Sequence, residues 1–152
     1  LLVRDSGIDR TIFRDELGEI SKSCDISLIG YNALPNEVQS YIGLQQMAQV
    51  RNLIEIQRTN ADKWQTYFDV NLDVVSLRNS NSNPNYWVYG ILVSNKIKMI
   101  EKFREEGYYS SGVHINNNNY SVFGTQPKLK GVRDFYNSFI ALPCGWWVEF
   151  YK

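Results

Sequence analysis

Apolar residues recur at steps of three and four between Pro35 and about Phe68, a spacing that places them on one face of a helix. Pro35 lies where a helix can begin, and Glu37 puts negative charge in the first turn, where it suits the helix dipole. One helix over this span would exceed the usual length of about 8–20 residues, so a break is predicted near residues 47–50. The recurring apolar positions are Val38, Tyr41, Ile42, Leu44, Val50, Ile54, Ala61, Trp64 and Phe68.

After residue 69 the pattern changes to short runs rich in β-branched and aromatic residues, which favours strands. Residues 74–77 and 86–93 are predicted strands, separated by a loop rich in Asn and Ser. The second run is almost wholly apolar, which is typical of a strand covered on both faces. Residues 108–113 are predicted as a further strand, and the asparagine run 116–119 as a loop.

Two shorter helices complete the predicted α/β layer. Ser94 or Asn95 can cap a helix that ends at Gly107, and a second helix is predicted over about residues 131–139, before a terminal stretch from Ile140. Residues 1–33 have no strong hydrophobic period and are interpreted as connecting structure.

The composition restricts the classes of function. A chain of 152 residues with 43% hydrophobic positions is typical of one globular domain. Sixteen basic and sixteen acidic side chains balance, which argues against nucleic-acid binding as the main function. No apolar run reaches the roughly 18 residues of a membrane helix, so a soluble, cytoplasmic protein is expected. Because the chain begins with Leu1 rather than methionine, we also expect a portion of a longer protein.

The two cysteines, Cys24 and Cys144, are far apart and form no Cys-x-x-Cys pattern. A single histidine accompanies them, so neither a zinc site nor a disulfide framework is indicated. Both are expected to be reduced, structural thiols.

Three ordered segments carry a resemblance to a known family. Residues 4–10 are similar to an Arg-x-x-Gly-Ile-x-Arg stretch, and residues 30–47 to a Gly-Tyr-Asn turn followed by a helix with the pattern Ala-x-Gly-Leu-x-Gln-Leu. Residues 112–147 contain a His-bearing strand end, a loop and a Leu-Pro-Cys-Gly-Trp-Trp ending. Together they resemble the C-terminal part of the pyridoxal-phosphate-dependent sugar aminotransferases of the DegT/DnrJ/EryC1/StrS family, in its nucleotide-sugar branch.

This resemblance implies the C-terminal small domain of a fold-type-I aminotransferase, in which a long helix is followed by a small, mainly antiparallel sheet with packed helices. Residues 1–33 would connect it to a large cofactor-binding domain, and residues 34–152 would form the C-terminal α/β domain. The whole enzyme would be a homodimer that transfers an amino group from an amino acid, commonly glutamate, to a keto group of a nucleotide-linked sugar. Such reactions serve polysaccharide and deoxyamino-sugar biosynthesis.

In the family the cofactor, pyridoxal 5′-phosphate, is held mainly by the large domain. Its Schiff-base lysine lies in a segment resembling Ser-Phe-x-x-x-Lys, and this chain has no such segment. Lys22 lies in the wrong place relative to Gly30 and is interpreted as a solvated surface lysine. The chain alone is therefore expected to be inactive. Some relatives replace the lysine and catalyse a dehydration, so a dehydratase parent also stays open.

The resemblance implies that Asn32, at the end of the Gly-Tyr-Asn turn, donates to the cofactor phosphate of the neighbouring subunit. The alternative is that Asn32 only shapes the turn before Pro35. His114, the sole histidine, is implied to lie near the sugar-nucleotide pocket, and a packed, hydrogen-bonded histidine is the alternative.

Asn117, Asn118 and Tyr120 are implied to contact the sugar hydroxyls or the diphosphate, with a solvated loop as the alternative. Arg10, and less strongly Arg14, could present a planar guanidinium to the diphosphate, although surface arginines are commoner. The remaining aromatic candidates are interpreted as packing residues, Trp146 and Trp147 in the core or an interface, and Trp64, Tyr67 and Phe68 in the core.

A rival hypothesis from another class is a stand-alone module that dimerises or binds a nucleotide sugar without turnover. The apolar helical stripe would then be its interface.

Overall fold

The computed structural model describes residues 2–31, 36–70, 73–79 and 81–150. The chain forms two compact units, called unit 1 and unit 2 below. Unit 1 comprises Leu1–Asn36 and Gly112–Asn137, and unit 2 comprises Glu37–Ser111 and Ser138–Lys152. The assignment of residues 1–33 as the connection to a large domain, with 34–152 as the C-terminal domain, stays a prediction.

Unit 2 begins with two helices, α1 (Glu37–Gln46) and α2 (Val50–Phe68), so the predicted break at residues 47–50 is confirmed. The apolar stripe is divided unequally between them. No residue of α1 is buried, whereas α2 buries Ala61, Trp64 and Phe68 at helical spacing.

The sheet of unit 2 is antiparallel and three-stranded, in the order β1 (Val74–Ser76), β2 (Val88–Val93), β3 (Phe139–Pro143). Alternate residues of the central strand β2 are buried on one face, and those of the other face are half-buried. The sequence predicts that both faces of this strand are covered, whereas the structure covers one face fully and the other only in part. The α/β fold with a small antiparallel sheet is confirmed.

The strand predicted over residues 108–113 is wrong. Only Ser111 pairs with the sheet, through a single bridge to Ala141. Val113, at φ 60°, lies two residues after this bridge, and there the backbone leaves the extended conformation that a ladder needs.

Two further helices are α3 (Lys96–Glu105) and α4 (Lys130–Ser138), close to their predicted positions. The Asn95 side chain accepts a hydrogen bond from the amide of Lys98 and so caps α3, as predicted. Gly107, at φ 86°, follows its end.

The core of unit 2 is centred on Trp64. Its indole Nε1 donates to the carbonyl oxygen of Pro143 at 2.8 Å, and its ring lies 6.0 Å from that of Phe68 between centroids. The core role is confirmed for these two aromatics but is wrong for Tyr67, which is 45% exposed with its ring edge against Trp64.

Trp146 and Trp147 are 52% and 64% exposed, so the core interpretation is wrong for both, and the interface interpretation stays a prediction. Cys24 and Cys144 are free and buried, as expected for structural thiols. Within the described ranges, no helix is both long and apolar enough to cross a membrane.

Candidate functional site

In unit 1 the first two of the three family-like segments are in backbone contact. The amide of Tyr31 donates to the carbonyl oxygen of Val3 at 2.6 Å, and the amide of Ser6 donates back to the carbonyl oxygen of Tyr31 at 3.4 Å. The Gly-Tyr-Asn turn is therefore held against residues 3–6 up to Tyr31. Asn32, the predicted contact to the cofactor phosphate, lies outside the described residues.

Arg10 is paired within its own segment. Its Nε and Nη2 atoms donate to the two carboxylate oxygens of Asp5 at 2.7 and 2.6 Å. These hydrogen bonds raise the pKa of the Arg10 guanidinium. A diphosphate would have to compete with the Asp5 carboxylate for the same guanidinium nitrogen atoms of Arg10. Arg14 donates to the carbonyl oxygen of Gly18 at 3.1 Å.

The segment after the asparagine run is tied to residues 25–26. The Asp25 carboxylate accepts from the Ser121 hydroxyl at 2.5 Å and from the Ser121 amide at 2.7 Å, and these bonds lower the pKa of Asp25. The amide of Val122 donates to the carbonyl oxygen of Ile26 at 3.0 Å. Tyr120, adjacent to this anchor, is buried, which raises the pKa of its hydroxyl.

The asparagine run itself forms a single turn of 3-10 helix, Asn117–Asn119, rather than the irregular loop predicted. Its turn is closed by hydrogen bonds from the Asn119 and Tyr120 amides to the carbonyl oxygens of Asn116 and Asn117. Carbonyl acceptors of the run are thus used locally, and the side chains of Asn117 and Asn118 are exposed.

These asparagines line a groove of about 910 Å³ in unit 1, together with apolar side chains and three cations. No acidic side chain is among the lining residues. Neutral amides and cations around an apolar floor can bind a polyhydroxylated anion through hydrogen bonds and charge. The lining residues are Ile115, Asn116, Asn117, Asn118, Asn119, Phe123, Gln126, Pro127, Lys128, Leu129, Lys130, Val132 and Arg133.

The three cations of the groove differ in their ion pairs. Lys130 and Arg133 approach the carboxylate of Asp134 at 3.2 and 3.3 Å. Lys128 makes no ion pair with any residue that the structure describes. The sequence analysis did not predict these three residues, because a net charge balanced over the whole chain does not reveal a local cluster near Pro127.

The groove includes only some of the predicted site residues. Asn117 and Asn118 line it, whereas His114, Tyr120 and Arg10 do not. His114 is exposed and follows a tight turn at Val113, between the buried residues Gly112 and Ile115. Four of these residues, His114, Asn117, Asn118 and Tyr120, are neighbours in the sequence, but their order does not reveal which of them share a surface.

Lys22 is the lysine that precedes the Gly-Tyr-Asn turn in the sequence. Lys22 is exposed, as predicted, and its Nζ lies 5.1 Å from the centre of the Tyr136 ring. Every buried side-chain nitrogen and oxygen in the described ranges has a hydrogen-bond partner, so no unsatisfied group marks a cofactor cradle there.

A sequence profile described as the DegT/DnrJ/EryC1/StrS aminotransferase family matches residues 2–148. Among solved structures, the sugar aminotransferase CalS13 from Micromonospora echinospora is 25% identical, with a TM-score of 0.69 over 97% of this chain and 39% of that chain. AtS13 from Actinomadura melliaura gives the same four values, 25%, 0.69, 97% and 39%.

Helicobacter pylori PseC, an aminotransferase involved in the biosynthesis of pseudoaminic acid, is 23% identical, with a TM-score of 0.64 over 98% of this chain and 40% of that chain. The chain thus spans about two fifths of these structures. A comparison with curated proteins gives no significant match.

Proposed function

Since the chain belongs to the DegT/DnrJ/EryC1/StrS aminotransferase family, we propose that it is the C-terminal part of a pyridoxal-phosphate-dependent sugar aminotransferase. The parent enzyme transfers an amino group from an amino acid, glutamate, to a keto group of a nucleotide-linked sugar. The family match over residues 2–148 carries this proposal. It is supported by the coverage of CalS13, in which 97% of this chain corresponds to 39% of that enzyme.

The Schiff-base lysine is proposed to come from the remainder of the parent protein. The chain contains no segment resembling Ser-Phe-x-x-x-Lys, and Lys22 is exposed. By itself the chain would therefore bind no pyridoxal phosphate covalently and transfer no amino group. We retain Asn32 as the contact to the cofactor phosphate, and we place the enzyme in the cytoplasm.

The groove of unit 1 is proposed to bind the nucleotide sugar. A nucleotide sugar combines an anionic diphosphate with neutral hydroxyls, and the groove offers Lys128 and Arg133 for the first and Asn117 for the second. Phe123 and Leu129 supply apolar surface for the face of a base or sugar ring. This division of chemistry within one concave surface supports a substrate role.

Four residues remain our proposed contacts to the substrate, and the structure supports them unequally. They are His114, Asn117, Tyr120 and Arg10. Asn117 lines the groove and His114 is exposed. Tyr120 is buried and does not line the groove, and Arg10 would first have to release Asp5.

A homodimer is proposed for the parent enzyme. Val38, Tyr41 and Ile42 on α1 are 67%, 64% and 49% exposed, and they lie three and four residues apart on one helical face. Leaving such surface in water is unfavourable by about 25 cal/mol per Å², so a covering partner would stabilise it.

The alternative function is a stand-alone module that dimerises or binds a nucleotide sugar without turnover. Two features favour it, because the exposed apolar face of α1 and the groove of unit 1 both lie within these 152 residues.

The test is to express the reading frame that extends upstream of Leu1, add pyridoxal phosphate and glutamate, and follow product formation from keto nucleotide sugars by mass spectrometry. We expect a yellow protein that exchanges the keto oxygen for an amino group. Loss of water without transfer would instead identify a dehydratase. A stop codon directly before an authentic start would sink the proposal, and nucleotide-sugar binding by the 152-residue chain would then support the stand-alone module.

A further inference from the structure

Two consecutive residues in the first segment of unit 1 hold a turn that contributes to the groove. The two carboxylate oxygens of Asp25 accept from the Ser121 hydroxyl at 2.5 Å and from the Ser121 amide at 2.7 Å. The next amide, that of Val122, donates to the carbonyl oxygen of Ile26 at 3.0 Å. Three neighbouring donors are thus bound by residues that lie 96 positions earlier in the chain.

Asp25 is attached to fixed structure, whereas Ser121 belongs to an exposed part of the chain. Cys24, the neighbour of Asp25, is 1% exposed, and its amide donates to the carbonyl oxygen of Ser21 at 3.1 Å. Ser121 and all of residues 123–130 are exposed, so burial contributes little to their placement. The support therefore runs from Asp25 to Ser121.

This anchor determines the position of Phe123, which lines the groove. Ser121–Phe123 forms a single turn of 3-10 helix, in which the Phe123 amide donates to the carbonyl oxygen of Tyr120 at 3.2 Å. One such turn is marginal by itself, so its placement depends on what holds its first residue. Burial of Tyr120 fixes the chain before the turn, and the Asp25 carboxylate fixes Ser121.

We propose that Asp25 is a positioning residue of the groove, whose carboxylate holds the Ser121–Phe123 turn so that the Phe123 ring meets the base or sugar ring of a nucleotide sugar. This inference rests on the proposed function. Phe123 is 51% exposed, so its ring is accessible to a ligand. Asp25 does not line the groove, so it touches no substrate and acts through Phe123.

The experiment measures binding of two non-keto probes, dTDP-glucose and UDP-N-acetylglucosamine, to the full parent enzyme by calorimetry, with thermal unfolding in parallel. For the probe that binds, Asp25→Asn should raise Kd about three- to tenfold, because it removes the charge and one of the two acceptor oxygens. Water competes for the exposed Asp25, which keeps the effect moderate.

Asp15→Asn is the matched control for this substitution. The Asp15 carboxylate also accepts two hydrogen bonds, from the amides of Leu17 and Glu19 at 3.0 and 2.9 Å, but Asp15 is not tied to the groove-lining segment. The control should leave Kd unchanged. An equal loss of affinity in both variants would contradict a specific role for Asp25.

A pair of substitutions at Ser121 tests the same bond with less risk to folding. Ser121→Ala removes the hydroxyl donor and should raise Kd, whereas Ser121→Thr keeps the hydroxyl and should retain the Kd of the unmodified enzyme. Equal weakening by alanine and threonine would overturn the inference. This pair decides the matter if Asp25→Asn unfolds the enzyme.

A double variant decides whether Asp25 acts through Phe123. Phe123→Ala alone should raise Kd about tenfold, because it removes a ring that stacks on the ligand. In that background, Asp25→Asn should cause a much smaller loss of affinity than in the unmodified enzyme. An equal loss in both backgrounds, or a lowered Tm with unchanged Kd, would overturn the inference.

The outcomes also separate this inference from the proposed function. If the unmodified enzyme transfers the amino group but Asp25→Asn and Ser121→Ala bind the probe normally, the inference fails and the proposed function stands. If the enzyme transfers the amino group but binds neither probe, the KM of the nucleotide sugar that it aminates replaces Kd. If it binds neither probe and transfers no amino group, both fail.

Discussion

Gly30 lies so close to Gly7 that a Cβ atom on Gly30 would be 2.1 Å from the Gly7 amide nitrogen. Gly7 in turn has φ 81°, and a Cβ there would be 2.1 Å from the carbonyl oxygen of Leu28. Because the obstructing atoms are backbone, no side-chain rotation relieves either clash. These glycines belong to the first two family-like segments. Their close approach explains physically why both positions require glycine.

We therefore predict that Gly30→Ala destabilises the chain by about 1–3 kcal/mol or more, through overpacking against the backbone. The measurement is urea unfolding of the 152-residue chain. Gly43→Ala is the matched control, since Gly43 lies in α1 with nothing within 4 Å of an added Cβ. It should stabilise α1 by about 0.5–1 kcal/mol. Equal effects of the two substitutions would contradict the contact.

A second prediction concerns alkaline pH. Burial raises the pKa of the Cys144 thiol from 9.0 to about 12. Because the fold favours the neutral thiol, this stabilising contribution is complete below pH 9 and is lost as the pH rises from 9 toward 12. The free energy of unfolding should fall over this range, and less steeply in Cys144→Ala. If the free energy of unfolding falls equally steeply with pH in both proteins, the raised pKa of Cys144 is contradicted.

The charge of the groove gives a third prediction. Lys128→Gln and Arg133→Gln in the parent enzyme should each weaken binding of dTDP-glucose about three- to tenfold, because each removes a partner of the diphosphate. The loss should shrink at high salt. Lys98→Gln, an exposed position on α3 in unit 2, is the control and should leave the dissociation constant unchanged. Weakening by the control alone would exclude the groove.

The exposed face of α1 gives a fourth prediction. Tyr41→Lys should reduce self-association of the parent enzyme, because it puts charge into the proposed apolar interface. Unfolding of the 152-residue chain should change by less than about 0.5 kcal/mol, since Tyr41 is exposed there. Sedimentation equilibrium measures the first effect, with the polar, exposed Gln45→Lys as control. A parent enzyme that is monomeric at every concentration would refute the interface.

Local signals were sufficient for much of the fold. The spacing of Ala61, Trp64 and Phe68 predicted the buried face of α2, and helix length alone predicted the break before Val50. The capping residue Asn95 is a short-range signal and was predicted for the same reason. The three family-like segments identified the family, which the match over residues 2–148 confirms.

Features that depend on tertiary structure were not predictable from the sequence. Exposure of Tyr67 and of the Trp146–Trp147 pair depends on what packs against them, which hydrophobicity does not encode. The positive φ of Val113 violates the preference of valine for extended backbone, so the pattern wrongly predicted a strand there. Lys128 lies in the irregular segment before α4, Arg133 in α4 and Asn117 in the 3-10 turn, and no local motif links the three residues that line the groove.

Unit 1 is built from two segments that are distant in the sequence, and this affects how the protein folds during synthesis. Its two segments, Leu1–Asn36 and Gly112–Asn137, are separated by all of the intervening sequence of unit 2. The ribosome adds roughly 5–20 residues per second, so the second segment of unit 1 is synthesised several seconds after the first. During that interval the second segment of unit 1 is absent, although Phe13 and Cys24 of the first segment are buried in the finished structure. A nascent chain stalled before residue 112 should therefore depend on chaperones more than one released at its end.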